Sequence, residues 1–244
     1  MNFFSNKTFT LLLLFTFNHL SFADDVIFID SFEVAFGLAG THTIATPYQE
    51  PNHLATIYYP ENASAINKVP VVFFVPGFGH VDPNKYDTIL RFIASHGFAA
   101  VFIEDNDKFD FSSNDMLLDI LAMVNDKSDI LDTTRIGVMG HSSGGGYAFN
   151  VLDKLSDVQG WGANGRFLFL TDPWFAFDMM QVDMRTLPSN ANVVIQRYGP
   201  GGNNEADGTD ARIVLTEYYL LESIVDDKKD YQVDENADHT YPYD

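Results

Sequence analysis

A strand that runs straight into a glycine-flanked serine and out again into a helix leaves a chain few ways to fold. Arg135 to Met139 reads as a strand, Gly140-His141-Ser142-Ser143-Gly144 follows at once, and Gly145 to Leu155 carries a helical pattern. The turn between them is so tight that its flanking positions have to be glycine, and it lifts the serine hydroxyl above the edge of a sheet. A G-x-S-x-G string alone is common by chance, and its plain alternative is a glycine turn without chemistry. The strand before it and the helix after it give it meaning.

The rest of the chain supports that context. Val26 to Ile29 and Leu54 to Tyr59 read as strands, the second closed by Pro60 and the polar stretch Glu61 to Lys68. Val71 to Val75 is a continuous apolar, β-branched and aromatic run, the pattern of a strand buried on both faces, and it ends at Pro76-Gly77-Phe78-Gly79. A helix from Tyr86 to Ser95 closes at Gly97, Phe98 to Ile103 is again a strand, and Asn114 to Val124 presents Leu117, Leu118, Leu121 and Val124 on one helical face. Strands Phe167 to Leu170 and Val193 to Tyr198, a helix Ala211 to Ile224 and a short strand Tyr231 to Val233 complete the alternation. Such alternation predicts an α/β fold with a mostly parallel central sheet and helices on both faces.

The 244 residues suit one domain of this kind. The first 23 residues read as a secretory signal peptide, with Lys7, an apolar stretch from Phe9 to Phe17 and the small-x-small ending Ser21-Phe22-Ala23. That leaves 24–244 as the expected domain, outside the cytoplasm and without a stable membrane anchor. Losing Lys7 takes the formal charge from −20 to −21, and no Lys/Arg cluster is visible, which argues against a nucleic-acid partner. Cysteine is absent, so a disulfide, a cysteine nucleophile and a thiolate metal site are all impossible. The seven histidines show no H-x-x-x-H or H-E-x-x-H spacing, so neither a metal nor a cofactor is expected.

A serine hydroxyl is a weak nucleophile near neutral pH unless a base removes its proton. One histidine follows Ser142 in the chain, His239, beyond the last predicted strand. For the acid, Asp172 stands at the end of strand Phe167 to Leu170, while Glu205, Asp207 and Asp210 lie in the loop Gly199 to Asp210 after the next strand. Asp172, fixed by its strand and by Pro173, is favoured over carboxylates in a Gly/Asn-rich loop, whose plain reading is solvated surface. A tetrahedral intermediate needs backbone N–H donors, and Ser143 and Phe78 are the candidates for this oxyanion hole. Phe78, His141 and Trp174 are the candidate substrate contacts; for the two large aromatics, core packing is the competing reading.

The runs Val71 to Gly79, Ile93-Ala94-Ser95-His96-Gly97-Phe98 and Gly140 to Gly145 resemble the α/β-hydrolase branch that holds chlorophyllase-like, cutinase-like polyester hydrolase and platelet-activating-factor acetylhydrolase-like enzymes. The resemblance covers Ala55 to Trp174 and extends more weakly to His239. It implies a serine carboxylic-ester hydrolase, an esterase, lipase or polyesterase, acting through an acyl-enzyme on small-molecule, lipid or polymeric esters. In the chlorophyllase-like and acetylhydrolase-like members the acid sits where Asp172 does. The cutinase-like members place it after the following strand, yet carry a tryptophan resembling Trp174. Members usually continue through a closing helix after the histidine, whereas this sequence ends at Asp244, five residues beyond His239. A non-catalytic lipid-binding protein and a serine peptidase of the same fold are the competing expectations.

Overall fold

A computed structural model describes residues 39–51, 54–104, 114–174, 187–198, 224, 226–234, 237 and 239. The expected signal peptide, the strand Val26 to Ile29, the loop Gly199 to Asp210 with Glu205, Asp207 and Asp210, and the helix Ala211 to Ile224 up to its last residue lie outside them.

The described strands are β1 (Tyr48–Gln49), β2 (Ala55–Tyr58), β3 (Val69–Val75), β4 (Ala99–Ile103), β5 (Leu131–His141), β6 (Gly165–Thr171), β7 (Ala191–Tyr198) and β8 (Lys229–Asp234). They form one eight-stranded sheet in the order β1-β2-β4-β3-β5-β6-β7-β8. β1 pairs with β2 and β2 with β4 in antiparallel fashion, while every pairing from β4 through β8 is parallel. The helices are α1 (Asp87–Ser95), entered from a 3-10 turn at Pro83–Tyr86, then α2 (Asn114–Asp126) and α3 (Ser143–Ser156).

Alternation along buried strands divides the core in two. Val71, Phe73 and Val75 of β3 point to one face and pack with Ile120 and Met123 of α2 and Ala148 and Leu152 of α3. Val72 and Phe74 point to the other and pack with Ile89, Leu90 and Ile93 of α1. Helices therefore cover both faces, and the strands between them bury apolar side chains on each side, which accounts for their continuous apolar runs.

Among the differences from expectation, three have a plain physical reason. β5 begins at Leu131, four residues before the predicted Arg135. Its pairing with β3 jumps from Pro70↔Asp132 to Val71↔Ile136, and the extra residues are held where Asp132 accepts hydrogen bonds from the Thr134 N–H, the Thr134 hydroxyl and Arg135 Nε. α3 starts at Ser143 instead of Gly145, directly after the nucleophile candidate. β1 has two residues, too few for any periodic signal.

The arrangement fixes where a site can form. In an open parallel sheet, the turns leaving the carboxyl ends of neighbouring strands converge on one rim. The turns that follow β3, β5, β6 and β8 carry Phe78, Ser142, Asp172 and His239 respectively.

Candidate active site

Ser142 has φ 55° and ψ −125°, a backbone conformation that a non-glycine residue rarely adopts. It is held there from three directions. Its N–H donates to the Thr171 carbonyl (3.2 Å), its carbonyl accepts from the Trp174 N–H (2.7 Å), and Gly146 N–H closes the first turn of α3 on the same carbonyl (3.2 Å). The flanking glycines are needed for contact. A methyl group on Gly140 would lie 2.4 Å from the Gly144 carbonyl oxygen, and one on Gly144 would lie 2.2 Å and 2.3 Å from the carbonyl oxygens of Val75 and Pro76. Gly144 thus seats the start of α3 against the strand end that leads to Phe78.

Asp172 is placed by the same rim. β5 and β6 are in register up to His141↔Thr171, so Ser142 and Asp172 leave the sheet side by side. Asp172 also has positive φ, 42°. Its N–H donates to the Gln196 carbonyl (2.6 Å), and its Oδ1 accepts from the Tyr198 N–H (3.0 Å), so β7 grips it at both ends. The side chain is 4% exposed. Its other oxygen, Oδ2, lies 2.5 Å from His239 Nδ1, and His239 Nε2 lies 2.8 Å from Ser142 Oγ. With Nδ1–H donating to the carboxylate, Nε2 is left to accept the serine proton. The structure therefore brings Ser142, His239 and Asp172 together in one hydrogen-bonded row.

Of the two oxyanion candidates, Ser143 is the first residue of α3, so its N–H belongs to the group that no carbonyl of the helix can reach. Phe78 lies in a turn closed by the His80 N–H on the Gly77 carbonyl (3.0 Å), and the residue is 43% exposed. Trp174 is partly buried and packs against the core on the α2/α3 face while its N–H holds Ser142. Beside the turn, burial pushes the His80 imidazole down, and the nearby Lys85 and His239 add to the effect.

His141 requires a correction. A substrate contact was expected, but the ring is fully buried. Its Nδ1 is 3.0 Å from the Tyr86 hydroxyl and its Nε2 is 2.8 Å from the His239 carbonyl oxygen. Burial, with the His239 charge adding, pushes its pKa down to about 3, so it is neutral and engaged within the protein. The missed signal was alternation along β5: Met139 packs on the α1 face, and a side chain two residues later on a strand points the same way. Tyr86 and Tyr198 were missed as well. Both act across more than twenty residues of sequence, and no local pattern marks them.

Among the described residues, no group of His, Asp and Glu is arranged to hold a metal ion, and no helix is long and apolar enough to cross a membrane.

A family model described as PET hydrolase-like matches residues 37–161, just over half of the chain. The chain belongs to the PET hydrolase-like family. Its sheet and helices are accordingly those of the α/β-hydrolase fold. Curated relatives include Cutinase 2 of Thermobifida cellulosilytica, 31% identical over 111 residues, a stretch covering 43% of this chain and 41% of the relative. Cutinase cut1 of Thermobifida fusca is also 31% identical over 111 residues, covering 43% of this chain and 34% of the relative. The chain thus spans about two fifths or less of the length of these relatives. The family match ends at residue 161, so Asp172 and His239 lie beyond it, and the case for them rests on their geometry.

Proposed function

We propose that this chain is a secreted serine ester hydrolase that cleaves carboxylic esters, polymeric ones included, through an acyl-enzyme. The observation that carries the reading is the row Asp172 Oδ2, His239 Nδ1, His239 Nε2, Ser142 Oγ, with separations of 2.5 Å and 2.8 Å, at a serine held with positive φ. In this mechanism His239 takes the Ser142 proton as the hydroxyl attacks the ester carbonyl, and Asp172 holds the Nδ1–H tautomer and offsets the imidazolium charge. The backbone N–H groups of Ser143 and Phe78 stabilise the oxyanion. Protonated His239 then gives its proton to the departing alkoxide, and water repeats the sequence on the acyl-enzyme. No cofactor is required.

The ester preference is supported by the family and by relatives named cutinases. Phe78, exposed on the turn after β3, and Trp174, whose N–H holds the Ser142 carbonyl, are the aromatic residues proposed to receive a flat or apolar acyl group. Secretion is supported by the signal-like first 23 residues.

Steady-state hydrolysis tests the reading. The mature chain is expected to hydrolyse short p-nitrophenyl esters and to turn over the matching anilides much more slowly. Asp172→Asn is expected to keep the fold but favour the wrong histidine tautomer, lowering kcat by about 10⁴-fold. Asp207→Asn and Asp210→Asn are expected to cost less than about tenfold each, as neutralising solvated carboxylates usually does. Loss of activity in the loop variants with retention in Asp172→Asn would move the acid to the loop after β7.

A further inference from the structure

The oxyanion turn and the loop carrying His239 are joined by a buried chain of hydrogen bonds that the triad does not use. Gly77 N–H donates to the Tyr86 hydroxyl (2.9 Å), that hydroxyl meets His141 Nδ1 at 3.0 Å, and His141 Nε2 meets the His239 backbone carbonyl at 2.8 Å. The directions follow from chemistry. A carbonyl oxygen can only accept, so His141 Nε2 carries the proton. In the neutral ring Nδ1 is then an acceptor, and the Tyr86 O–H donates to it, which leaves the phenol oxygen to accept from Gly77. Every hydrogen bond in the chain points from the oxyanion turn toward the catalytic loop.

The surroundings make the chain stiff. Tyr86 and His141 are both fully buried. The Tyr86 ring packs against Phe74 of β3 and Phe102 of β4, with centroids 4.8 Å and 5.6 Å away, and meets the His141 ring edge-on at 6.0 Å. The His141 and His239 rings lie 5.0 Å apart. Burial keeps each polar atom dependent on its neighbour, because water cannot replace a lost partner.

We propose that Tyr86 and His141 are positioning residues, a strut that sets the distance between the oxyanion turn at Gly77-Phe78 and the His239 loop. This inference rests on the ester-hydrolase reading for its catalytic consequence. The strut holds the donor of Phe78 and the base of His239 in one frame, so that oxyanion stabilisation and proton transfer act on the same carbonyl. Its contribution is to alignment in the transition state and not to substrate affinity.

The test uses Tyr86→Phe, His141→Phe, their double variant and His141→Gln, assayed on a p-nitrophenyl ester well below each variant's Tm. Tyr86→Phe and His141→Phe are each expected to lower kcat by about 10- to 100-fold, the scale of a small misplacement of reacting groups, with KM within about threefold of wild type. The double variant is expected to lose no more than the worse single variant, since either substitution breaks the same strut. His141→Gln, with a carbonyl for Tyr86 and an N–H for the His239 carbonyl, is expected to recover most of the activity. Multiplicative losses, kcat within twofold of wild type in both Phe variants, or a Gln variant as poor as His141→Phe would overturn the proposal.

A second readout does not depend on catalysis. Amide hydrogen exchange at Gly77 is expected to quicken at least tenfold in His141→Phe, although His141 does not touch that amide. Unchanged exchange there would overturn the strut. Wild-type chain that hydrolyses no ester, with the exchange result as expected, would instead overturn the ester-hydrolase reading and leave the strut standing as structure.

Discussion

His141 stays uncharged where a free histidine would begin to take up a proton, and this links it to acid stability. Burial is the main cause of its depressed pKa, about 3, with like charge on the nearby His239 and His80 adding to it. An unfolded chain protonates this residue near its ordinary value of 6.5, while the folded chain does not until far lower pH. Above about pH 6.5 the group therefore leaves stability unaffected. As pH falls from 6.5 toward 3 the unfolded state gains the proton and the fold loses stability, at no more than about 1.4 kcal/mol per pH unit. Denaturant unfolding at pH 7 and pH 5 should show wild type losing roughly 2 kcal/mol more than His141→Gln over that interval. Parallel stability curves for the two proteins would show that the histidine is already charged in the folded state.

At the level of elements, the turn from β5 into α3 depends on close backbone contact, and Gly144 is where that contact is tightest. An alanine methyl would meet the carbonyls of Val75 and Pro76 at 2.2 Å and 2.3 Å, both backbone atoms with no rotamer to relieve the clash. Gly144→Ala is expected to lower stability by about 1–3 kcal/mol, the usual cost of overpacking, and to push the β3 turn with Phe78 away from Ser142. Thermal unfolding and ester hydrolysis together check this: a lower Tm with activity intact would separate the contact from the oxyanion turn. These elements also show what a linear reading can reach. β3, β4, β6 and β7 were legible because strands buried on both faces leave continuous apolar runs, and Ser142 because its turn imposes glycines at fixed spacing. The early start of β5 was not legible, since Asp132, Thr134 and Arg135 read as polar loop until their mutual hydrogen bonds are seen. Asp172 was legible as a strand-end carboxylate, but its grip by Tyr198 was not. His141 was misread because a motif fixes the backbone of its variable position and says nothing of which face the side chain takes.

For the whole molecule, the sheet order brings distant segments to one rim. β5 lies between β3 and β6, so the turns bearing Phe78, Ser142 and Asp172 come from three adjacent strands, and His239 returns to them from beyond the edge strand β8. Contacts spanning 97 residues, from Ser142 to His239, and 67, from Asp172 to His239, thus complete the site. The sequence as a whole carries a formal charge of −20, which disfavours polyanions as partners. If this assembly activates Ser142, covalent labelling of the chain by a fluorophosphonate, located by peptide mass spectrometry, reveals it. A single adduct on Ser142 is expected, lost in Ser142→Ala without a change in Tm beyond a few degrees. An adduct on another serine, or no adduct on a folded wild-type chain, would contradict it.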